Sequence, residues 1–217
     1  MDFAAARRNM VDCQILPNRV DDQRVIDAML AIPREKFVSD GLAGIAYVDE
    51  ALPIGDGRCV MEPMVIGRLL QAAELNAGDL ALSIGCGTGY AVAVLAKIVE
   101  TVVAVEPDKG LAQKAGDILS GLGLDIVAVV DGDLKAGKAE QGPYDVIFFD
   151  GAVDRVPEAI TDQLAEGGRL VAVVATGGGI GTARLVSRFG GALSSRDLFD
   201  AGTALLPGFE PAKAFSF

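Results

Sequence analysis

The sequence contains no histidine. That removes Ser-His-Asp and Cys-His nucleophilic systems and the common imidazole metal sites, leaving chemistry that runs without an imidazole base. Cysteine is scarce. Cys13, Cys59 and Cys86 lie far apart and make no C-x-x-C pair, so neither a disulfide framework nor a zinc site is expected, and a reducing cytoplasm is the simplest home. No apolar run approaches the roughly 20 residues needed to cross a bilayer. The opening, Met1 to Arg8, sets charges on both sides of a very short apolar stretch, which does not make a secretory signal. Basic residues are outnumbered, 19 against 30 acidic, and the net charge is −11. Such a surface repels polyanions, so neither a nucleic-acid backbone nor an anionic membrane is an expected partner.

What is present reads as one globular domain: 217 residues, 51% hydrophobic and 23% charged. From Asp79 onward, short runs rich in β-branched residues alternate with helix-like stretches, the pattern of a parallel sheet covered on both faces. The predicted strands are Leu80–Ile84, Thr101–Val105, Ile126–Val130, Val146–Phe149 and Leu170–Ala175. Helices are expected from near Thr88 through Leu95, from Asp108 to about Leu119, and in a stretch opened by Pro157 at a first-turn position, and with the remaining strand connection four successive βα units are read. Beyond Gly177-Gly178-Gly179, read as a flexible turn rather than a phosphate loop, runs from Ile180 to Phe189 and around Asp197 to Ala204 predict a hairpin. Residues 1–75 read as helices: Phe3 to Ile15, then a helix capped by Asp21, then one opened by Pro63. Ala51 to Glu62, with proline, two glycines and mixed polarity, reads as a loop between them.

The chemistry-bearing pattern begins where the first parallel strand ends. Ser83-Ile84-Gly85-Cys86-Gly87-Thr88-Gly89-Tyr90 is a glycine-rich turn running into a helix, which lets the backbone approach a ligand closely. By itself such a turn is a weak signal. Glu106 follows the second strand, where a carboxylate can accept hydrogen bonds from both ribose hydroxyls of a nucleoside. Asp133, in Gly132-Asp133-Leu134, follows the third, where it can accept from an adenine amine. Three such features at three successive strand ends fall on the edge where open α/β sheets bind ligands. A dinucleotide fingerprint, G-x-G-x-x-G, needs glycine where Tyr90 stands, so a nicotinamide oxidoreductase is the weaker reading. Gly85-x-Gly87-x-Gly89 resembles instead the loop of methyltransferases that use S-adenosylmethionine.

The resemblance then becomes specific. Met10-Val11-Asp12-Cys13-Gln14-Ile15, Pro33-Arg34-Glu35-Lys36-Phe37-Val38 and Tyr47-Val48-Asp49-Glu50-Ala51-Leu52-Pro53-Ile54-Gly55 are similar to segments of the protein-L-isoaspartate O-methyltransferases. Pro143-Tyr144-Asp145-Val146-Ile147, Val156-Pro157-Glu158-Ala159 and Leu164 to Val171 continue in the order of that family. The resemblance implies a seven-stranded Rossmann-like methyltransferase sheet, mostly parallel with one antiparallel strand near an edge, and an N-terminal helical extension. It divides the single domain into residues 1–75, helices and substrate loop, and residues 76–217, the cofactor-binding sheet. It implies methyl transfer from S-adenosylmethionine to a free carboxylate of isoaspartyl residues, a repair reaction on a protein or peptide substrate. Ser83, Gly85, Cys86, Gly87, Glu106, Asp133 and Leu134 would then hold the cofactor.

The departures carry equal information. The family segment G-H-G-Q-T-I-S-Q-P reads here Gly55-Asp56-Gly57-Arg58-Cys59-Val60-Met61-Glu62-Pro63. Asp56 takes the histidine position, Cys59 the threonine and Met61 the catalytic-position serine, so Asp56, Arg58 and Cys59 would line the substrate pocket. The family acid before the glycine loop is Ser83, and V-T-A-A is Phe149-Asp150-Gly151-Ala152. Asp56 would set a second negative charge near a carboxylate acceptor, about 1–4 kcal/mol of repulsion at ~4 Å, and Arg58 would compensate. Met61 would remove a hydroxyl worth about 0.5–1.5 kcal/mol to the substrate. Asp56 reads equally well as an ordinary turn residue, Met61 as apolar filling, and Cys59 and Cys86 as packing residues rather than nucleophiles. A methyltransferase with another acceptor, and a non-catalytic cofactor-binding protein, are the standing alternatives.

Overall fold

The computed structural model describes residues 1–176 and 180–210. The triple glycine therefore lies outside the described residues. Helix α1, Phe3–Met10, is capped by the Asp2 side chain accepting from the Ala5 N–H, and a π-helical turn, Val11–Ile15, extends it as expected. Helix α2, Gln23–Ala31, is capped by Asp22, not Asp21: the Asp22 carboxylate accepts from the Arg24 N–H, while the Asp21 and Asp22 N–H groups both donate to Gln71 Oε1. The side chain with an oxygen free to face the first turn becomes the cap.

The segment expected as a loop is a small antiparallel hairpin, β1, Leu52–Gly55, and β2, Arg58–Val60. Its reversal is Asp56-Gly57, both at positive φ, 49° and 73°. A two-residue turn with both centres left-handed matches the twist of its flanking strands. The hairpin leads into α3, Pro63–Ala72, opened by proline as predicted.

The sheet then builds: β3, Leu80–Ile84; α4, Tyr90–Leu95; β4, Thr101–Val105; α5, Lys109–Gly121, capped by Asp108; β5, Val127–Val130; β6, Tyr144–Val153; α6, Glu158–Thr161; β7, Leu164–Val174; β8, Gly181–Phe189; and β9, Ala192–Ala201. Strand order is β5-β4-β3-β6-β7-β8-β9. Pairings from β5 through β7 are parallel, while β8 runs antiparallel to both its neighbours. This is the expected mostly parallel sheet with one antiparallel strand next to an edge. Two details differ. Between β5 and β6 there is no α-helix, only a 3₁₀ turn at Ala139–Gln141, so three rather than four units carry an α-helix. Gly132, Gly137 and Gly142-Pro143 interrupt any helical run there. Pro157 caps α6 from outside instead of occupying its first turn.

Burial on both faces explains why the strands read as continuous apolar runs. Val146 and Phe148 of β6 point into one core with α1 to α4, whereas Ile147 and Phe149 point into a second with Leu206 and Phe209. Residues 1–75 thus share a core with the sheet. Arg169 ties the two together, donating to the carbonyls of Ala73 at 2.8 Å and Glu74 at 2.7 Å and bridging Asp79 at 2.6 Å.

Candidate active site

The register lines up the carboxyl ends of the three parallel strands, with Ile84 beside Val105 and Val105 beside Val130. The glycine turn, Glu106 and the Asp131–Leu134 segment consequently emerge side by side on one edge. At the turn Gly85, Gly87 and Gly89 all hold positive φ, 77°, 56° and 93°. Side chains at the first two would also crowd a neighbouring side chain. A Cβ on Gly85 would lie 2.6 Å from Leu206 Cδ2, and one on Gly87 would lie 2.8 Å from Ile54 Cδ1.

Glu106 is fully buried, and four donors surround its carboxylate. The Gly87 N–H donates to Oε2 at 2.7 Å and the Asp108 N–H to Oε1 at 3.2 Å. Arg58 supplies the other two, Nη1 to Oε1 at 2.8 Å and Nη2 to Oε2 at 3.0 Å. Its Nη2 also donates to the Gly85 carbonyl at 2.8 Å. The β1–β2 hairpin therefore reaches across and clamps the strand-end acid to the glycine turn.

Beside the clamp, Ala51, Arg58, Cys59, Met61, Asp150, Thr203 and Leu206 enclose only about 10 Å³ of free space. Burial pushes the Asp150 carboxyl up to about 8; Arg58 opposes the rise, Glu106 adds to it, and Arg34 opposes it more weakly. Burial likewise raises the Cys86 thiol, with Glu106 and Asp150 adding, and also raises Cys59. Neither thiol has the thiolate character of a nucleophile. The chain beyond β9 lies over this region: the Ala152 N–H donates to the Ala204 carbonyl and the Leu206 N–H to the Ala152 carbonyl, each at 2.8 Å. On the far side a groove of about 740 Å³ opens between Pro107, Asp131–Lys135, Pro207 and Gly208.

The family profile described as protein-L-isoaspartate(D-aspartate) O-methyltransferase matches residues 6–197. The chain belongs to this family. It is 42% identical over 196 residues to the protein-L-isoaspartate O-methyltransferase of Methylorubrum extorquens, covering 90% of this chain and 86% of the relative. A relative of the same description from Syntrophobacter fumaroxidans is 39% identical over 176 residues, covering 80% of this chain and 81% of the other. Among solved structures, a protein-L-isoaspartate O-methyltransferase matches with TM-score 0.83 and 28% identity, over 93% of this chain and 66% of that one. A second, from Plasmodium falciparum in complex with S-adenosyl-L-homocysteine, matches with TM-score 0.80 at 21% identity, over 95% and 98% of the two chains, a likeness of fold.

Against the family pattern, the expected cofactor residues divide. Gly85, Cys86, Gly87 and Glu106 converge as described. Asp133 is exposed at the open groove, its Oδ1 accepting from the Lys135 N–H at 2.8 Å, with Leu134 buried beneath. Ser83 sits inside β3, buried, its Oγ without a hydrogen-bond partner among the described residues. Of the residues expected to line an acceptor pocket, Asp56 is exposed at the hairpin tip, so a repulsion there would fall at the solvent-screened end of its expected range. Met61 is buried, and its carbonyl accepts from Arg34 Nη2 at 2.7 Å.

Sequence reasoning missed Thr203, which puts a hydroxyl into the same small space as Met61 and donates to Glu62 Oε2 at 3.2 Å. It also missed Ile54 and Leu206 over the glycines, and noted Asp150 only as a departure from the family segment, not as a buried carboxyl. Asp150 carried a signal, as a carboxylate directly after the predicted apolar run Val146–Phe149.

An adenosyl group fits part of this frame. The left-handed glycines bring the backbone close to the sheet edge, a carboxylate stands at the strand end where a ribose acceptor is expected, and the groove by Asp133 and Leu134 is open. The two acceptor positions of Glu106 not held by backbone N–H groups, however, are occupied by Arg58.

Proposed function

We propose that this chain is an S-adenosylmethionine-dependent O-methyltransferase acting on the free carboxylate of isoaspartyl residues in damaged proteins. The observation that carries the reading is a buried Glu106 beside the Gly85–Gly87 turn, at the carboxyl edge of the sheet of a chain that belongs to this family. When bound, the cofactor's sulfonium supplies an activated methyl group. The protein's task is then alignment and desolvation, because an ionised carboxylate is already the nucleophile. A chain without histidine can do this.

Glu106 would accept from the ribose hydroxyls, Asp133 from the adenine amine with Leu134 against the ring, and Gly85 and Gly87 would admit the amino-acid part. Cys86 and the buried Ser83 would shape the floor of the turn. Met61 and Leu206 exclude water from the transfer space, and Met61, with no proton to donate, cannot serve as the family serine would. Arg58 and, on release from Glu62, Thr203 would donate to an acceptor carboxylate. Asp56 and Cys59 would border its entry.

We read residues 1–217 as one domain, supported by the core shared between the N-terminal helices and the sheet. All three cysteines are free thiols, which fits a cytoplasmic location. No helix among the described residues is long and apolar enough to cross a membrane.

Labelled methyl incorporation into an isoaspartyl peptide, with the normal aspartyl peptide as control, tests the assignment. Transfer to the isoaspartyl peptide alone is expected. Met61 and the exposed Asp56 favour one alternative, a methyltransferase for another acceptor; binding of S-adenosylhomocysteine without transfer to either peptide would overturn the repair assignment, leaving that alternative and a non-catalytic cofactor-binding protein.

A further inference from the structure

A carboxylate offers about four lone-pair sites, two on each oxygen. Those of Glu106 are all engaged: Gly87 and Asp108 hold one on each oxygen through backbone N–H groups, and Arg58 holds the other two. The backbone donors belong to the scaffold and stay. Only the Arg58 positions are exchangeable, and they are the ones two vicinal hydroxyls would need.

The arginine is not held there by chance contact. Its hairpin is anchored by Leu52 and Val60 in the core, and Ile54 of the same hairpin fills the space over Gly87. The guanidinium is 5% exposed and also caps the Gly85 carbonyl, so it spans the turn and the acid together. Planar bidentate pairing of this kind is the arginine geometry that lysine cannot reproduce.

We propose that Arg58 is an intramolecular latch on the cofactor site. It occupies the face of Glu106 that a ribose would need, and an adenosyl ligand is seated only after the guanidinium swings off the carboxylate. This rests on the cofactor reading given above. The apparent dissociation constant of such a ligand is the intrinsic value divided by the fraction of molecules with the latch open, so a mostly closed population weakens binding in proportion.

Calorimetric titration of S-adenosylhomocysteine into the whole chain and into Arg58→Gln tests it. Glutamine removes the charge and the bidentate grip, and ligand affinity is expected to rise about 10- to 100-fold, the penalty of an open fraction of a tenth to a hundredth. Apo Arg58→Gln should also melt below the parent, with the gap narrowing at saturating ligand, because the bound parent has already given up the pair. Arg58→Lys, which keeps the charge with a single ammonium, should bind between the two.

A folded Arg58→Gln that binds no more tightly than the parent, or keeps its melting gap when saturated, overturns the latch. If Arg58→Gln does not fold, Arg58→Lys decides on the same criterion. Folded proteins that all fail to bind the ligand overturn the cofactor reading itself, a result distinct from equal binding by all.

Discussion

The guanidinium of Arg34 stacks 4.7 Å from the centroid of the Tyr90 ring, joining the N-terminal segment to the first residue of the helix that follows the glycine turn. Arg34 is fully buried, and it donates Nε to the Ala46 carbonyl and Nη2 to the Met61 carbonyl, each at 2.7 Å. Arg34→Met should therefore leave two buried carbonyls without donors, at about 1–3 kcal/mol each, besides losing the stacking. A destabilisation of about 3–5 kcal/mol is expected from urea unfolding. Lysine should not rescue it, since one ammonium cannot reach both carbonyls and lie over the ring. A loss under about 1 kcal/mol would show that the contacts add nothing beyond packing.

Asp150 sets a pH dependence whose sign follows from its burial. Its carboxyl is pushed up to about 8 in the folded chain, while an unfolded aspartate titrates near its ordinary value of 3.8. Between these values the folded state holds a proton that the unfolded state has released. Stability from this group is complete below the lower value, falls as pH rises toward 8, and levels off above. The slope reaches at most about 1.4 kcal/mol per pH unit. Asp150→Asn removes it, so the variant's advantage in melting temperature should grow from pH 5 to pH 8.5. Parallel profiles for the two proteins would contradict the burial argument.

The glycine turn makes a separate prediction. Gly85→Ala demands a left-handed alanine, costing about 1–2 kcal/mol, and sets its Cβ against the buried Leu206. Denaturant midpoints should fall by the equivalent of about 1–3 kcal/mol. The thermal shift produced by S-adenosylhomocysteine should vanish, whereas a variant that still responds to ligand as the parent does would show that the turn does not contact it.

Arg169 predicts how the two parts of the chain are coupled. Truncation to alanine removes donors from the Ala73, Glu74 and Asp145 carbonyls and leaves the largely buried Asp79 without its cation. A loss of about 2–4 kcal/mol is expected. Hydrogen exchange should quicken first at the end of α3, before the sheet opens. Uniform acceleration would mean that the arginine stabilises the fold without bearing on this joint.

The parallel strands were legible because burial on both faces leaves an unmistakable composition, and β3 and β4 begin and end where their apolar runs do. The β1–β2 hairpin was misread although Asp56-Gly57 is a strong turn signal, because Pro53 and mixed polarity obscure strands of four and three residues. No helix was named between β5 and β6, yet the regular alternation of the other units led that connection to be counted as a fourth βα unit. Leu206 and Thr203 gave no sign of their place. Their position depends on how the segment after β9 returns along Ala152, which no local pattern encodes.

Taken alone, the order of residues determined the layered α/β sheet, the glycine turn and the strand-end acids, since periodicity, left-handed turns and strand ends are local properties of a chain. Whether Glu106 faces a ligand or a neighbour was decided only in three dimensions. Arg58 lies 48 positions away in the chain, and hairpin register, not local preference, carries its guanidinium to that carboxylate.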